Sequence, residues 1–349
     1  MTFTPISTAR CVPRMNDRKG FLCMMRKTVA AAALLAGLMT AAQAQTFDLI
    51  NEYPATSLPG EADVFFADAV NRATGGRVTI KPLPDAKSGL RTREQLKAVT
   101  DGRFAMADSF AGALGDENAI FLLSTLPFTT PSLADARALY DAARPLYEAI
   151  YAERKQKLLY VVPWPPSGIW SAAPVTSIDA LRALKIRTYD NTGTDVFAKV
   201  TAAAAVVSFA DLNPKLEAGE INAVLSSGDG GAGRQLWKFL RNFSEISYAI
   251  PLSFTSISLD AWASLDDAGR KAIEDAARAT SERQWAVLAS RMVENFVRMR
   301  ANGVAIDEKP PAEVMSALRA AAAQSIEAWQ AKASPDARQV LAAFLAQKR

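Results

Sequence analysis

Apolar residues along the chain alternate between the spacing of strands and the spacing of helices. Residues 77–83 alternate strictly between polar and apolar positions, which predicts a strand, and residues 56–74 have apolar positions at helical spacing, which predicts a helix ended by Gly75 and Gly76. The same reading predicts further strands at 46–51, 104–110 and 157–162 and further helices at 91–100 and 133–153.

The pattern continues in the middle of the chain with shorter elements. The predicted order is a helix at 178–184, a strand at 184–189, a helix at 195–205, a short strand from Val206, a helix at 211–218 and a strand at 223–226. Strands that alternate with helices of this length predict an α/β fold with largely parallel sheets.

The last third of the chain has a helical pattern throughout. Residues 266–302 form a very long helical stretch that Gly303 ends, and two more helices are predicted at 311–330 and 336–347, with a short strand near 304–306. No repeat or low-complexity linker divides the chain. We therefore predict two α/β lobes that enclose a cleft and are spanned by the long helix, and a cleft between lobes is a preferred ligand site.

The expected lobes are discontinuous in sequence. The first lobe is assigned residues 45–165 and about 248–285, and the second lobe residues 166–247 and the C-terminal helices at about 286–349.

Residues 1–44 have the features of a presequence with a signal peptide. Arg26 and Lys27 precede a short apolar run from Val29 to Met39, and Ala42-Gln43-Ala44 matches a small-x-small cleavage site. We predict cleavage after Ala44, which exports a protein that begins at Gln45. No other stretch reaches about 18 consecutive apolar residues.

Composition excludes several kinds of chemistry. The 349 residues include no His, and the two Cys, Cys11 and Cys23, both precede the predicted cleavage site. A chain without imidazole or thiol cannot build a Ser-His-Asp triad, a thiol enzyme or an ordinary zinc site. We expect neither a metal nor a cofactor.

The basic character of the full sequence lies in the presequence. Residues 1–44 contain six basic residues and one acidic residue, so the whole-chain net charge of +4 becomes about −1 once they are removed. Binding to nucleic acid needs a basic surface, so the net charge of the predicted mature chain does not support a nucleic-acid-binding function.

The predicted strand at 184–189 carries the strongest candidate for ligand binding. Arg187 and Tyr189 share one face of it near its C-terminal end, where open α/β sheets bind ligands. A guanidinium group binds a carboxylate with two parallel hydrogen bonds. A salt bridge on the surface or between the lobes is the alternative role for Arg187.

Two further segments have unusual composition. Ser226, Ser227 and Gly228 begin a glycine-rich turn after a strand, which either binds a small ligand or is a flexible connection; it matches no nucleotide-binding motif. Trp164 and Trp170 flank a Pro-Pro segment and either form walls of a pocket or pack in the hinge.

Other candidates follow predicted strands of the first lobe. Glu52 and Tyr53 come directly after the first strand, and Lys87, Ser88 and Arg91 lie in a loop that leads into a helix and could bind an anion. The alternative is that each of them is a solvent-exposed residue without a role in binding.

The order of motifs resembles that of the solute-binding receptors of tripartite ATP-independent periplasmic (TRAP) transporters, the DctP-type family. The resemblance spans essentially the whole predicted mature chain and is carried by IDALRALKIR at 178–187, NPKLEAGEINA at 213–223 and the stretch from Arg77 to Phe110. It implies a fold like that of periplasmic binding proteins, and it implies that Arg187 matches the family arginine that pairs with a ligand carboxylate.

The resemblance also implies a function without chemistry. A periplasmic receptor of this kind captures an organic acid by closure of its lobes and delivers it to membrane permease subunits. The segments VLSSG at 224–228 and TYDN at 188–191 depart from the patterns of dicarboxylate receptors, and the nearby aromatic residues favour a monocarboxylate, with 2-oxo, 2-hydroxy and aromatic acids as candidates. The residues predicted to bind it are Arg187, Tyr189, Asn191, Trp164, Trp170, Ser226, Ser227, Gly228, Glu52, Tyr53, Lys87, Ser88, Arg91, Phe110 and Trp237.

Two alternatives remain open from the sequence. An exported carbohydrate-active enzyme would use a pair of carboxylates such as Asp229 and Glu52 across the cleft. A binding protein of an ABC importer or of a sensor kinase would have a similar cleft and a different membrane partner.

Overall fold

Two sheets with helices around them form the protein. The computed structural model describes residues 44–201 and 203–348, and the predicted signal peptide lies outside this range. The strands are β1 (Gln45–Asn51), β2 (Val78–Leu83), β3 (Met106–Phe110), β4 (Gln156–Pro163), β5 (Ser167–Ser171), β6 (Lys185–Thr188), β7 (Ala203–Val206), β8 (Ala223–Ser227), β9 (Asn242–Ser244), β10 (Leu252–Ser258) and β11 (Ala305–Asp307). The α-helices are α1 (Leu58–Thr74), α2 (Thr92–Thr100), α3 (Leu133–Glu153), α4 (Ile178–Arg182), α5 (Asn191–Phe197), α6 (Leu212–Glu217), α7 (Gly228–Gly233), α8 (Leu259–Ser264), α9 (Asp267–Ala301), α10 (Ala312–Lys332) and α11 (Pro335–Ala346).

The first lobe is built on a five-stranded sheet in the order β2-β1-β3-β10-β4. β1 is parallel to β2 and β3, while β10 is antiparallel to both of its neighbours, β3 and β4. The apolar face of α1 packs on this sheet through Phe66 and Val70, which are fully buried beside Leu49. Burial of such side chains stabilises the lobe by about 1.5–3 kcal/mol each.

The second lobe is built on a six-stranded sheet in the order β11-β9-β5-β8-β6-β7. β5 is antiparallel to β8 and β9, and β6 is parallel to β7 and β8. Its core contains Trp170, Phe243 and Leu225, none of which is more than 1% exposed. All strands of each sheet share one direction except β10 in the first sheet and β5 in the second, so the prediction of largely parallel sheets is confirmed. The two antiparallel strands, which enter their sheets from the opposite lobe, were not predicted.

A short two-stranded connection joins the lobes. The chain passes from β4 to β5 through residues 164–166 and returns from β9 to β10 through residues 245–251. The two segments hydrogen-bond to each other: Trp164 N donates to Pro251 O at 2.8 Å, and Ser167 N donates to Ala249 O at 2.9 Å. We call residues 164–167 and 248–251 the hinge.

The long helix α9 also connects the lobes. Asp266 caps its first turn by accepting a hydrogen bond from Gly269 N at 2.6 Å, and Gly303 follows its end with a φ of 77°, which favours glycine. Ile273 and Leu288 pack in the core of the first lobe, whereas Met299 packs in the core of the second. The long helix predicted from the sequence therefore does span both lobes.

The C-terminal helices differ from the expected assignment. α10 packs on the second lobe through Val314 and Leu318, but its Trp329 and the Leu341 and Phe344 side chains of α11 lie in a core of the first lobe. The assignment of residues 286–349 to the second lobe is therefore wrong for α11, whose apolar face is buried in the core that also contains residues of α3. The remaining lobe boundaries stay a prediction.

Other differences concern short elements. The helix predicted at 195–205 begins at Asn191, because Asp190 caps it by accepting from Gly193 N at 2.6 Å. β5, β9 and β10 were not predicted, since each is short or lies in a segment rich in Ser and Pro. In the part of the chain that the structure describes, no helix has the length and apolar character needed to cross a membrane.

Candidate functional site

A chamber lies between the two lobes and consists of two adjoining cavities. The larger has a volume of about 260 Å³ and the smaller about 20 Å³. The cavities share five lining residues, two from the first lobe and three from the second: Tyr53, Phe110, Arg187, Tyr189 and Phe209. Since both lobes supply walls, a ligand in this chamber would be enclosed by closure of the lobes.

Arg187 of β6 is the central polar group of the chamber. It is 3% exposed, although Lys185 on the same strand is exposed. Its Nε donates to Val207 O at 2.8 Å and its Nη1 donates to Leu225 O at 3.1 Å. Two backbone carbonyls therefore fix the orientation of the guanidinium group and leave its remaining N–H groups for another acceptor.

The charge of Arg187 has no close acidic partner. Among the described residues, no carboxylate oxygen lies within 4.0 Å of the guanidinium group, and its nearest aromatic support is the Tyr189 ring at 5.9 Å. Burial lowers the pKa of Arg187 from its ordinary value, since desolvation disfavours the charged form. Glu52 and Asp190 stabilise this charge only through space, and an anionic ligand in direct contact would offset the remaining cost of burying it.

Aromatic rings from both lobes meet in the chamber. The ring centroids of Tyr53 and Phe209 are 4.4 Å apart, those of Tyr53 and Trp164 are 4.7 Å apart, and those of Phe110 and Tyr189 are 5.1 Å apart. The first and third pairs join one lobe to the other. The chamber thus combines one buried cation with flat apolar walls, which suits a small acid with an apolar or ring-shaped body.

Acidic residues also line the larger cavity. Asp190 is 3% exposed; its Oδ1 accepts from Gly193 N, while its Oδ2 has no hydrogen-bond partner among the described residues. Burial raises the pKa of Asp190 to about 6. Asp116 also lines the cavity and accepts from Asn191 Nδ2 at 2.7 Å across the cleft.

Glu52 lines the cavity as well, but its carboxylate is occupied. Oε2 accepts from Thr92 N at 2.7 Å and from Thr92 Oγ1 at 2.6 Å, and Oε1 accepts from Ala210 N of the second lobe at 2.8 Å. Glu52 is therefore held by the protein on both sides of the cleft.

The structure brings nine of the fifteen predicted site residues to the chamber. They are Glu52, Tyr53, Phe110, Arg187, Tyr189 and Asn191 in the larger cavity and Trp164, Ser226 and Ser227 in the smaller one.

The other six predicted residues do not line it. Trp170 is fully buried in the core of the second lobe, where its ring packs on Phe243 and its Nε1 donates to Ser227 O at 3.1 Å. Trp237 packs in the same core, with Arg298 over its ring. Gly228 faces Met299 of α9.

The loop before α2 is also placed away from the chamber. Lys87 is exposed and Ser88 bonds within its own loop, where its Oγ accepts from Leu90 N. Arg91 forms a salt bridge to Asp211 of the second lobe, with Nη2 to Oδ1 at 2.6 Å. The loop therefore does not form the predicted anion site, because its one cleft-facing cation is already paired.

Phe209 is the main lining residue that the sequence analysis missed. It lies in a 3-10 turn, Phe209–Asp211, directly before α6. Such a short turn has no periodic pattern, and only the tertiary structure brings its ring against Tyr53.

The carboxylate pair considered for an enzyme is not assembled. Asp229 Oδ2 accepts from Leu58 N at 2.8 Å and its Oδ1 accepts from Arg291 Nε at 2.6 Å. Asp229 does not line either cavity of the chamber, and Glu52 is occupied as described. The two groups therefore do not face each other across the cleft as an acid and base pair would.

Comparisons with known proteins find similar solute receptors. The sequence profile of the family described as bacterial extracellular solute-binding protein, family 7 (DctP), matches residues 51–333. The crystal structure of the Bordetella pertussis extracytoplasmic solute receptor DctP7, which binds pyroglutamic acid, superposes with a TM-score of 0.82 at 26% identity and covers 86% of this chain and 99% of its own.

Two other similar proteins extend the comparison. A TRAP solute-binding protein from an unidentified marine microbe, specific for pyroglutamate, superposes with a TM-score of 0.81 at 27% identity and covers 86% of this chain and 99% of its own. The outer membrane transporter protein TsaT of Comamonas testosteroni is 26% identical over 274 residues, which are 71% of this chain and 75% of TsaT.

Proposed function

The chain belongs to the bacterial extracellular solute-binding protein family 7, and from that premise we propose that it captures a compact organic monocarboxylate through Arg187 and lobe closure. It is a TRAP-type solute receptor, and it resembles other solute receptors rather than enzymes. The proposal adds the class of ligand, a monocarboxylate, and the residue that binds its carboxylate group, Arg187.

The observation that carries the proposal is the buried, unpaired charge of Arg187. The two carbonyls that accept from it, those of Val207 and Leu225, orient the guanidinium group without neutralising it. A ligand carboxylate would do so with charge-assisted hydrogen bonds in a site that lobe closure removes from water. Both effects favour an acid over a neutral solute.

The other charges around the chamber favour a single negative charge on the ligand. Asp190 and Asp116 line the larger cavity together with two cations, Arg187, which is buried, and Arg93, which is exposed to solvent that screens its charge. A second carboxylate on the ligand would lie near these acids, and like charges at short range in a desolvated site repel strongly. We therefore propose a monocarboxylate rather than a dicarboxylate.

Pyroglutamate is the first candidate ligand. DctP7 and the marine receptor, both at more than 25% identity, bind it. It carries one carboxylate for Arg187 and a compact ring that suits the aromatic walls formed by Tyr53, Phe110 and Phe209. Small 2-oxo and 2-hydroxy acids satisfy the same charge requirement.

The site of action and the partners follow from the same proposal. Export by the predicted signal peptide, cleaved after Ala44, would deliver the receptor to the periplasm. The ligand-loaded, closed form would then be recognised by the permease subunits of a TRAP transporter, since closure is the change that distinguishes it from the empty form.

A calorimetric comparison of matched acids tests the ligand class. Ligand-stripped protein (residues 45–349) is titrated with pyroglutamate, with cyclopentanecarboxylate, which lacks the lactam group, and with glutarate, which has two carboxylates. We expect both monocarboxylates to bind at least about tenfold more tightly than glutarate, equivalent to about 1.4 kcal/mol. Tight binding of glutarate alone would overturn the monocarboxylate proposal.

The variant Asp190→Asn tests the origin of this preference. Asparagine retains a side-chain oxygen that can cap α5, but it removes the negative charge beside the chamber. Glutarate affinity should rise relative to pyroglutamate affinity. An unchanged ratio would show that Asp190 does not contribute to the discrimination.

A further inference from the structure

We propose that the Phe209–Asp211 turn of the second lobe is a latch that holds the lobes closed, and that Glu52 and Arg91 of the first lobe receive it. The inference rests on the proposed function, in which closure encloses the ligand. It assigns three consecutive residues a role in closure, two of which do not line the chamber.

The outer contact of the latch is a salt bridge with two-pronged geometry. Arg91 Nη2 lies 2.6 Å from Asp211 Oδ1, and Arg91 Nε lies 3.1 Å from Oδ1 and 3.2 Å from Oδ2. Arg91 precedes α2 in the first lobe and Asp211 precedes α6 in the second. Arginine and carboxylate in this arrangement specify one relative orientation of the two groups.

The inner contact is a buried hydrogen bond. Glu52, 2% exposed, accepts from the backbone N–H of Ala210 at 2.8 Å while Thr92 holds its other oxygen. Separation of the lobes would leave both the carboxylate oxygen and the Ala210 N–H to be hydrated. The contact therefore forms and breaks with closure.

The turn connects these contacts to the ligand chamber. The Phe209 ring lies 4.4 Å from the Tyr53 ring and lines both cavities. Two residues before it, Val207 O accepts from Arg187 Nε at 2.8 Å. When the turn engages Glu52 and Arg91, it brings Phe209 over Tyr53 and completes a wall beside the proposed anchor of the ligand.

The lobes are also joined by the hinge, by the helices α9 and α10 and by further contacts across the cleft such as Asn191 Nδ2 to Asp116 Oδ1 at 2.7 Å. The hinge and the long helix remain connected in any closed or open form. A latch on the cleft would therefore change the balance between these forms without touching the ligand. Arg91 and Asp211 are positioning residues in this sense, and their loss should weaken affinity through closure.

A charge-reversal series tests the latch by a distance measurement. Residues 45–349 contain no Cys, so Arg103→Cys in the first lobe and Glu217→Cys in the second provide two spin-label sites at exposed positions. The inter-lobe distance is measured by double electron–electron resonance in the parent protein and in Arg91→Asp, Asp211→Arg and the doubly reversed protein. Arg144→Glu, which reverses one charge of an exposed salt bridge within α3, is the matched control.

We expect each single reversal to lengthen the mean inter-lobe distance in ligand-free protein, and the double reversal to return it towards the parent value. Pyroglutamate affinity should fall about 3- to 10-fold in each single variant and recover in the double. Arg144→Glu should change neither quantity.

Two outcomes would contradict the latch. One is identical distance distributions for the parent and both single reversals, with and without pyroglutamate. The other is a double variant that stays as open as the singles, since the pair would then not act together. If pyroglutamate binds to none of the proteins, the ligand proposal fails while the ligand-free distances still decide the latch.

Discussion

At the scale of single residues, the protein accommodates buried ionisable side chains in two different ways. Arg187 keeps its charge and lacks an acidic partner, which we interpret as a place for a ligand. Asp63 and Asp108 of the first lobe are buried side by side: Asp63 accepts from Asn51 Nδ2 and from Tyr160 OH, each at 2.7 Å, and Asp108 accepts from Thr255 Oγ1 at 3.1 Å. Two adjacent buried carboxyl groups cannot both ionise at low cost, so one retains a proton.

This pair predicts a stability that depends on pH. Burial raises the pKa of Asp108 to about 7 and the pKa of Asp63 well above its ordinary range. Because the unfolded aspartate has a pKa of about 3.9, the folded protein holds more protons than the unfolded chain between about pH 4 and 7. The free energy of unfolding should therefore fall as the pH rises through this window.

The variant Asp108→Asn removes one titrating group and supplies a neutral donor to Asp63. Urea unfolding at pH 5 and pH 7.5 should show a smaller pH difference than in the wild type, with the variant the more stable at pH 7.5. Asp68→Asn, on the exposed side of α1, controls for the loss of a carboxylate. An unchanged pH slope in Asp108→Asn would contradict this assignment.

At the scale of elements, the glycine-rich turn after β8 has a structural reason for its composition. A Cβ atom on Gly231 would lie 2.1 Å from Cε2 of Trp170, so the indole packs directly against the backbone of α7. The same indole donates to Ser227 O and so fixes the start of the helix. Gly231, in the turn that was a candidate for binding a small ligand, therefore allows Trp170 to pack against the backbone of α7.

The substitution Gly231→Ala is predicted to be strongly destabilising. The added methyl group must displace the rigid ring of Trp170, and overpacking of this kind costs about 1–3 kcal/mol or more. Gly233→Ala in the same helix is the control, since its Cβ would meet Pro54 at an ordinary 3.4 Å and alanine favours helices. Thermal unfolding should show a lower Tm for Gly231→Ala only; equal Tm values would contradict the packing argument.

The sequence predicted elements well where their periodic pattern was long. The helix predicted at 266–302 is α9 (Asp267–Ala301), and the strand predicted at 77–83 is β2 (Val78–Leu83). The prediction failed where the information is tertiary. Trp164 and Trp170 are similar in sequence context, yet one lines the chamber and the other supports α7, because β5 turns Trp170 into the core.

The same limit applies to the candidate site. The alternation along β6 was enough to make Arg187 a candidate, since strand geometry places it near the C-terminal end of that strand. Nothing local identified Phe209 or the pairing of Arg91 with Asp211, because both depend on how the second lobe meets the first.

At the scale of the whole molecule, binding and closure are one event in this account. The second lobe supplies the buried cation and two aromatic walls of the chamber, and the first lobe supplies the other aromatic walls. The Phe209–Asp211 turn provides one of these walls and also contacts Glu52 and Arg91 across the cleft. A ligand that neutralises Arg187 would stabilise the arrangement in which all of these meet. Ligand binding and closure would therefore both depend on Arg187.

The most direct test is the titration of pyroglutamate into ligand-stripped wild type, Arg187→Ala and Lys185→Ala. Lys185 is the matched control, because it is an exposed cation on the same strand. We predict that Arg187→Ala weakens affinity by at least about 30-fold, as expected for loss of one partner of a buried charge pair, while Lys185→Ala binds like the wild type and all three proteins remain folded. Equal affinity of folded Arg187→Ala and wild type would contradict the central claim.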